Sequence, residues 1–430
     1  MEILHIEDLT FRYPDAPRPA LQNVSLSVSD GEFAVICGVS GCGKSTLLRL
    51  IKRELAPFGE KSGVIMYDGQ PQEALDLRTE CTRIGFVQQR PESQIVTDKV
   101  WHELAFGLES LGLPAEAIRR RVCETAAYFG IEAWFRQNTA ELSGGQKQLL
   151  NLAGVMVMQP KLLLLDEPTA QLDPIAAADF ITTLHKLNRE LGITVLLVEH
   201  RLEEVLPIAD RVILMEDGAI GFDGSPRRFA DSLSRNGEHP MASALPASAK
   251  IFRDLGESGE CPLTVREGRD FISSTFENRI RTLTEKSVPE RSEKTVRVQG
   301  IRFRYAKESA DILRDVSLDV YRGEHLCLLG GNGTGKTTLL GILSGALKPY
   351  HGTVTLDGKK LGAYSAKDLY HKNIAVLPQD PQTVFLKKTV CEDLRETCRA
   401  MEYDRAESEE RIAEIAGKLG IGTLLDRHPY

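Results

Sequence analysis

Apolar residues in this chain occur in two kinds of run. Short stretches alternate apolar and polar positions, at Glu2-Ile3-Leu4-His5-Ile6 and Leu26-Ser27-Val28, and predict strands with one wet face. Others are uninterrupted or nearly so: Phe33-Ala34-Val35-Ile36-Cys37, Leu162-Leu163-Leu164-Leu165 closing on Asp166-Glu167, and Thr194-Val195-Leu196-Leu197-Val198-Glu199 closing on His200. Runs of that length predict strands buried on both faces, the condition of a parallel sheet. A glycine-rich turn and a helix from Lys44 through about Leu55 follow the first of them. Short helices are expected over 244–256 and 262–272, where they would cap what precedes them.

The pattern then starts again. Ile301-Arg302-Phe303-Arg304-Tyr305 and Val316-Ser317-Leu318-Asp319-Val320 repeat the alternating strands, and Leu326-Cys327-Leu328-Leu329 repeats the buried strand before a second glycine turn. Tyr13 precedes Lys44 by 31 residues, and Tyr305 precedes Lys336 by the same 31. Internal duplication is the economical explanation. The division expected is a first domain over 1–231, a helical extension over 232–281, a linker over 282–294 and a second domain over 295–430. The linker sets Glu285, Glu290 and Glu293 against Lys286, Arg291 and Lys294 with little to bury, and reads as a solvated tether.

Composition narrows the partners. The 430 residues suffice for two or three cored domains, and 42 % apolar content is ordinary for a globular protein. With 61 acidic against 53 basic residues the net charge is −8, which argues against a nucleic-acid surface as the main partner. The eight cysteines show no Cys-x-x-Cys spacing and read as reduced cytosolic thiols. The start of the chain has no signal-peptide pattern. No run approaches the roughly 20 apolar residues that cross a bilayer, so a membrane role would come through a partner chain.

The chemistry lies in the turns. Gly38-Val39-Ser40-Gly41-Cys42-Gly43-Lys44-Ser45-Thr46 and Gly330-Gly331-Asn332-Gly333-Thr334-Gly335-Lys336-Thr337-Thr338 each join a buried run to a helix. Such a turn aims backbone N–H groups and the positive end of a helix dipole at a phosphate, and its lysine adds a full charge near the β and γ groups. A nucleoside triphosphate is the ligand implied. Ser45 and Thr337 would supply a hydroxyl to Mg²⁺, an ion that prefers oxygen. Asp166 would hold Mg²⁺ through water, Glu167 would polarise the attacking water, and His200 would contact the γ-phosphate. Cys42 reads as a small side chain that fits. Leu142-Ser143-Gly144-Gly145-Gln146 makes sense as a helix start with further N–H donors.

Taken in order, Tyr13, the turn at 38–45, Gln89, Leu142 to Gln146, Asp166-Glu167, Leu172-Asp173 and His200 resemble the nucleotide-binding domain of ABC ATPases. The resemblance covers essentially all of residues 1–230 and the first half of that domain again over 295–430. It implies an α/β P-loop NTPase fold of the ABC type, with a parallel core sheet, an antiparallel β subdomain and a helical subdomain, duplicated with the second copy incomplete. It further implies Tyr13 and Tyr305 stacked on adenine, and Gln89 and Gln379 in the loop that senses the γ-phosphate, helps hold Mg²⁺ and faces a transport partner. Gln89 thereby joins Glu167 and His200 as a catalytic candidate. Ser143, Gly144, Gly145 and Gln146 would face the phosphates of a paired domain, and Asp173 would cross that interface. ATP and Mg²⁺ are the cofactors expected, and ATP hydrolysis the activity.

The second counterpart of Ser143 should fall at position 433, since Gln89 to Ser143 is 54 residues and 379 plus 54 exceeds the last residue, Tyr430, by three. The chain is therefore expected to be a truncated product, with no complete composite site within one copy, although two copies could pair first domain to first domain.

Phe86-Val87-Gln88-Gln89-Arg90-Pro91-Glu92-Ser93-Gln94, with Glu103 to Leu113, resembles the ATPase subunits of energy-coupling-factor importers for vitamins and transition-metal ions. That resemblance implies integral-membrane transport subunits on separate chains and a place at the cytoplasmic face of the membrane. Gln379-Asp380-Pro381-Gln382-Thr383 is a looser match. Two other readings are tandem ABC proteins acting on ribosomes or DNA, which usually carry a long basic linker, and sugar importers, whose second glycine turn usually departs from the pattern.

Overall fold

The chain forms an antiparallel sheet first. In the computed structural model, which describes residues 1–14, 16–235, 239–256, 259–277, 293–331 and 333–429, strand β1 (Glu2–Arg12) pairs with β2 (Leu21–Ser29) and β4 (Glu60–Tyr67), and β5 (Gln70–Pro71) lies beside β4. The uninterrupted runs build the other sheet: β3 (Phe33–Cys37), β6 (Ile84–Val87), β7 (Leu162–Asp166), β8 (Thr194–Val198), β9 (Arg211–Glu216) and β10 (Ala219–Gly224), in the order β10-β9-β3-β8-β7-β6. All neighbours are parallel except β10 with β9.

Side-chain alternation along these strands divides the interior. Phe33, Val35, Leu163, Leu165, Val195 and Leu197 face one layer, whereas Ala34, Ile36, Leu162, Leu164, Leu196 and Val198 face the other. Each fully buried leucine is worth about 1.5–3 kcal/mol relative to exposure. The second layer is completed by the antiparallel sheet and by α1 (Lys44–Ile51). The helix α2 (Leu77–Arg83), N-capped by Asp76, leads into β6. A separate apolar cluster, including Val100, Leu104, Leu108, Val122, Ala126, Leu150 and Trp134, joins α3 (Val100–Ser110), α4 (Ala115–Phe129) and α5 (Gly144–Met156). Helix α6 (Pro174–Leu191) packs Phe180, Leu184 and Leu187 under the first layer.

That layer continues into α7 (Pro226–Arg235), α8 (Ala247–Asp254) and α9 (Val265–Phe276), with Phe229, Leu245, Ala249, Phe252, Cys261 and Leu263 joining the same core. The two short helices expected there form. Arg227 on α7 clamps α9 and the segment before it: it donates to both Glu267 carboxylate oxygens, at 2.7 and 3.3 Å, and to the Cys261 carbonyl at 2.8 Å. The bond from Arg227 holds the Glu267 carboxyl below its ordinary 4.5. The unfolded chain therefore binds more protons than the folded one near that value, so the clamp's contribution is present above pH 4.5 and disappears as pH falls through the lowered value. Both side chains are 37 % exposed, and water screens the pair. Arg227→Ala is expected to cost about 1 kcal/mol in urea unfolding at neutral pH, with the difference from the parent shrinking toward pH 3.

Two compact units are present, Met1–Thr284 and Glu285–Tyr430. The second repeats the antiparallel sheet, as β11 (Lys294–Phe303), β12 (Leu313–Tyr321), β13 (His351–Leu356) and β14 (Lys359–Lys360), around Val298, Ile301, Phe303, Leu339, Ile342 and Val354. Its helices are α10 (Lys336–Leu343), α11 (Ala366–Tyr370), α12 (Val390–Ala400) and α13 (Arg405–Leu419).

Three expectations are corrected or unaddressed. Leu326 to Leu329 forms no strand, and Leu329 is 91 % exposed. In the first unit the corresponding β3 is held by backbone pairing to β8 and β9, segments that follow Leu142 to Gln146 in the chain, and no described residue of the second unit pairs in that way. A buried parallel strand takes its hydrogen bonds from such neighbours. Helix α1 ends at Ile51 rather than near Leu55, because Lys52 turns extended and donates from Nζ to the carbonyls of Glu80 and Ile84. The tether lies, from 282 through 292, outside the described residues. Among the described residues, no helix is long and apolar enough to cross a membrane.

Candidate functional site

The turn after β3 takes its shape from glycine. Gly38 and Gly43 have φ of 146° and 102°. A Cβ on Gly43 would lie 2.5 Å from the Ala20 carbonyl, and one on Gly38 would lie 2.3 Å from that of Met215. Side chains at either place would be both strained and obstructed. Lys44, 4 % exposed at the start of α1, donates from Nζ to the carbonyls of Gly38 and Val39, each at 2.9 Å. Cys42 Sγ lies 3.7 Å from that Nζ and is buried. Ser40 and Gly41 lie at the exposed crest of the turn.

Parallel pairing sets the acids beside this turn. Asp166 ends β7, and Ser45 Oγ donates to its Oδ1 at 2.8 Å. Glu167 follows at φ 46°, a left-handed backbone uncommon for a residue with a side chain. His200, two residues past β8, sets Nε2 at 2.9 Å from Glu167 Oε1. Gln89, two residues past β6, donates to Glu167 Oε2 at 2.9 Å. The ends of three adjacent strands thus bring Asp166, Glu167, His200 and Gln89 together at the carboxyl edge of the sheet. Burial pushes the Asp166 carboxyl up, against the bond from Ser45, whereas the bond from His200 pulls the Glu167 carboxyl down. Glu167 is therefore ionised at neutral pH, with both oxygens engaged.

Tyr13, one residue past β1, packs edge-on against Phe11 and shares a 3.0 Å hydroxyl bond with Thr46 Oγ1. Ser143 N-caps α5 in a reciprocal capping box: its hydroxyl accepts from the Gln146 N–H and its own N–H donates to Gln146 Oε1. Gly144 and Gly145 open the helix. Among the described residues, no hydrogen bond joins Ser143 to Gln146 with the turn at 38–45. Asp173 caps α6 through the N–H groups of Ile175 and Ala176.

The second unit reproduces the turn. Lys336 Nζ donates to the carbonyls of Gly330 and Gly331 at 2.8 and 2.6 Å. Tyr305 OH and Thr338 Oγ1 are 3.2 Å apart, and Phe303 meets Tyr305 edge-on as Phe11 meets Tyr13. Gly333 and Gly335 keep positive φ. Asn332 lies outside the described residues. Gln379 and Thr337 have no acid beside them comparable to Asp166 or Glu167 among the described contacts.

Residues that sequence reading missed form the supports. Gln148 and Asn151 on α5, both buried, donate to the carbonyls of Gln88 and Pro91 and join the Ser143 helix to the Gln89 segment. Gln94 spans the same segment, accepting from the Gln88 N–H and donating to the Phe86 carbonyl. Glu199, adjacent to His200, bonds Thr169. For Gln148 and Asn151 the available signal was a polar residue on an otherwise apolar helical face.

The family profile described as ABC transporter matches residues 21–170 and again 313–430. An ABC transporter ATP-binding protein of Bacillus cereus is 42 % identical over 430 residues, covering 99 % of this chain and 76 % of that protein. An HMP/thiamine import ATP-binding protein of Bacillus subtilis is 31 % identical over 437 residues, covering 100 % of this chain and 76 % of that protein. Among solved structures, cbiO1 from Clostridium perfringens, described as part of the ABC transporter complex cbiONQ, is similar at a TM-score of 0.50 and 34 % identity, covering 55 % of this chain and 94 % of that one. With its family segment present twice and relatives of this identity spanning its length, the chain belongs to the ABC transporter family as an ATP-binding, ATP-hydrolysing protein.

Proposed function

We propose that this chain energises an importer of the energy-coupling-factor type, carrying a vitamin or transition-metal ion through membrane subunits on separate chains. The observation that carries the reading is the match of the whole chain to a relative named for HMP/thiamine import. The likeness to cbiO1, described as part of a cbiONQ complex, supports it. So do the exposed apolar side chains Val96, Trp101 and Phe106, 66, 43 and 40 % exposed, on the segment that follows Gln89 in sequence. The protein would then lie at the cytoplasmic face of the membrane. The domain limits at 231, 281 and 294 belong to the same reading.

Within the site, Lys44 and the N–H groups of the Gly38–Ser45 turn bind the phosphates, and Tyr13 stacks on the base. The donor set near the turn, one hydroxyl and one carboxylate, is all oxygen and suits Mg²⁺. Ser45, Asp166 and Gln89 would hold that ion, whose charge offsets that of the phosphates. Glu167, ionised, accepts a hydrogen bond from the attacking water and orients it, while His200 contacts the γ-phosphate. Lys336, Thr337, Thr338, Tyr305 and Gln379 bind nucleotide in the second unit. Two copies pairing first unit to first unit would bring Ser143 to Gln146 of one to the phosphates of the other. Closure then does work on the membrane partner through differential affinity for the closed state.

The test is ATP turnover of the 430-residue chain, and of a version extended past Tyr430, with membrane subunits co-purified from source cells, with ribosomes, and with duplex DNA. Stimulation by the membrane subunits, accompanied by uptake of labelled thiamine or cobalt into vesicles, is expected. Stimulation by ribosomes or DNA alone would overturn the importer reading.

A further inference from the structure

Glu199 occupies an expensive position. Its residue is 2 % exposed, immediately after β8, and among the described residues no lysine, arginine or histidine side chain pairs with it. A buried carboxylate without a counter-charge is tolerated only where hydrogen bonds replace its water. Here they come from two segments. Oε1 accepts from the Thr169 hydroxyl at 2.7 Å and the Thr169 N–H at 3.2 Å, and Oε2 accepts from the His200 N–H at 3.2 Å. Thr169 is itself buried in the turn that leaves Glu167: the Ala170 N–H donates to the Glu167 carbonyl and the Leu172 N–H to that of Thr169. One carboxylate therefore grips both the Glu167 turn and the His200 backbone.

We propose that Glu199, with Thr169, is a positioning residue for hydrolysis, locking the Glu167 turn to His200 so that the two side chains meet at their observed 2.9 Å. The inference rests on Glu167 and His200 being the hydrolytic pair. The physical need is clear at Glu167, whose φ of 46° persists only if its surroundings hold it. A displacement of about 1 Å between reacting groups is enough to cost a large part of the rate. Burial pushes the Glu199 carboxyl up, which marks the cost of keeping an acid there.

Glu199→Gln separates the roles, because a carboxamide has one acceptor oxygen and one donor group. It can accept from the Thr169 N–H or from the His200 N–H, not from both. In the full 430-residue chain, kcat is expected to fall on the order of tenfold, with ATP affinity, measured by fluorescent-nucleotide titration, unchanged within about twofold. Adding Glu199→Gln to His200→Ala should cost nothing further, since the clamp acts through His200. Thr169→Val should reproduce the loss and Thr169→Ser should restore it, which tests the clamp even where Glu199→Gln folds poorly. A crystal structure of Glu199→Gln supplies a readout independent of turnover: the Glu167–His200 contact should open beyond hydrogen-bond distance. Undiminished kcat, multiplicative losses in the double variant, or an unaltered Glu167–His200 contact would each overturn the proposal. If Glu167→Gln and His200→Ala themselves retain parental turnover, the assignment of the hydrolytic pair fails instead.

Discussion

Replacing Glu167 with glutamine is expected to lower ATP turnover by about a hundredfold or more while leaving ATP bound. The substitution is nearly isosteric, and Glu167 lies with its oxygens 2.9 Å from His200 Nε2 and Gln89 Nε2. The bond from His200 keeps its carboxyl ionised at neutral pH, so it acts as an acceptor on two sides. Glutamine offers a single acceptor oxygen, and its amide group would face a donor. Water orientation is lost, whereas the phosphate-binding turn, on a different strand end, is untouched. A stopped-time phosphate assay beside a nucleotide-binding titration checks both halves. Parental turnover in Glu167→Gln would remove this residue from the chemistry.

The second large effect is on affinity. Lys44→Ala is expected to weaken ATP binding to the first unit on the order of a hundredfold, from loss of about 3 kcal/mol of charge-assisted bonding. Lys44 is buried at the helix start, and its Nζ is directed by two carbonyls of its own turn, so the charge is held in place before any phosphate arrives. Lys336 is held in the same manner, so the single variant should retain one class of site. Isothermal titration should show two classes in the parent and one in Lys44→Ala; two classes surviving in the variant would contradict the assignment.

How far the sequence could be read depended on what each feature is made of. The buried run Phe33–Cys37 is a strand at the bounds expected, the strand from Thr194 stops at Val198, one residue short of the expected Glu199, and Leu162 to Leu165 continues one residue into Asp166. Continuous apolar character is itself the signal of a strand covered on both faces. The glycine turns were legible because the backbone there excludes side chains, as the close approach of the Ala20 carbonyl to Gly43 shows. The same logic failed at Leu326 to Leu329. Its composition matches Phe33–Cys37, but composition specifies what a strand would bury and not which segments will pair with it.

Lys52 illustrates the other gap. The sequence reading carried the helix to about Leu55, yet the lysine turns inward to the carbonyls of Glu80 and Ile84, 28 and 32 positions away. Gln148, Asn151 and Glu199 were passed over for a related reason: each is a lone polar residue in an apolar setting, and its partner lies tens of residues distant.

By itself, then, the sequence determined which segments are buried, where the chain must turn on glycine, which lysines, hydroxyls and acids can meet a phosphate, and that the arrangement is begun twice. Those properties are local, because they depend on side-chain volume, polarity and the allowed φ of a few consecutive residues. The tertiary structure alone decided that β3 lies between β8 and β9, that Glu167, Gln89 and His200 converge from three neighbouring strand ends, and that Glu199 and Thr169 join two of those ends. Backbone pairing and the satisfaction of buried polar groups are settled between segments far apart in the chain, and no local pattern encodes them.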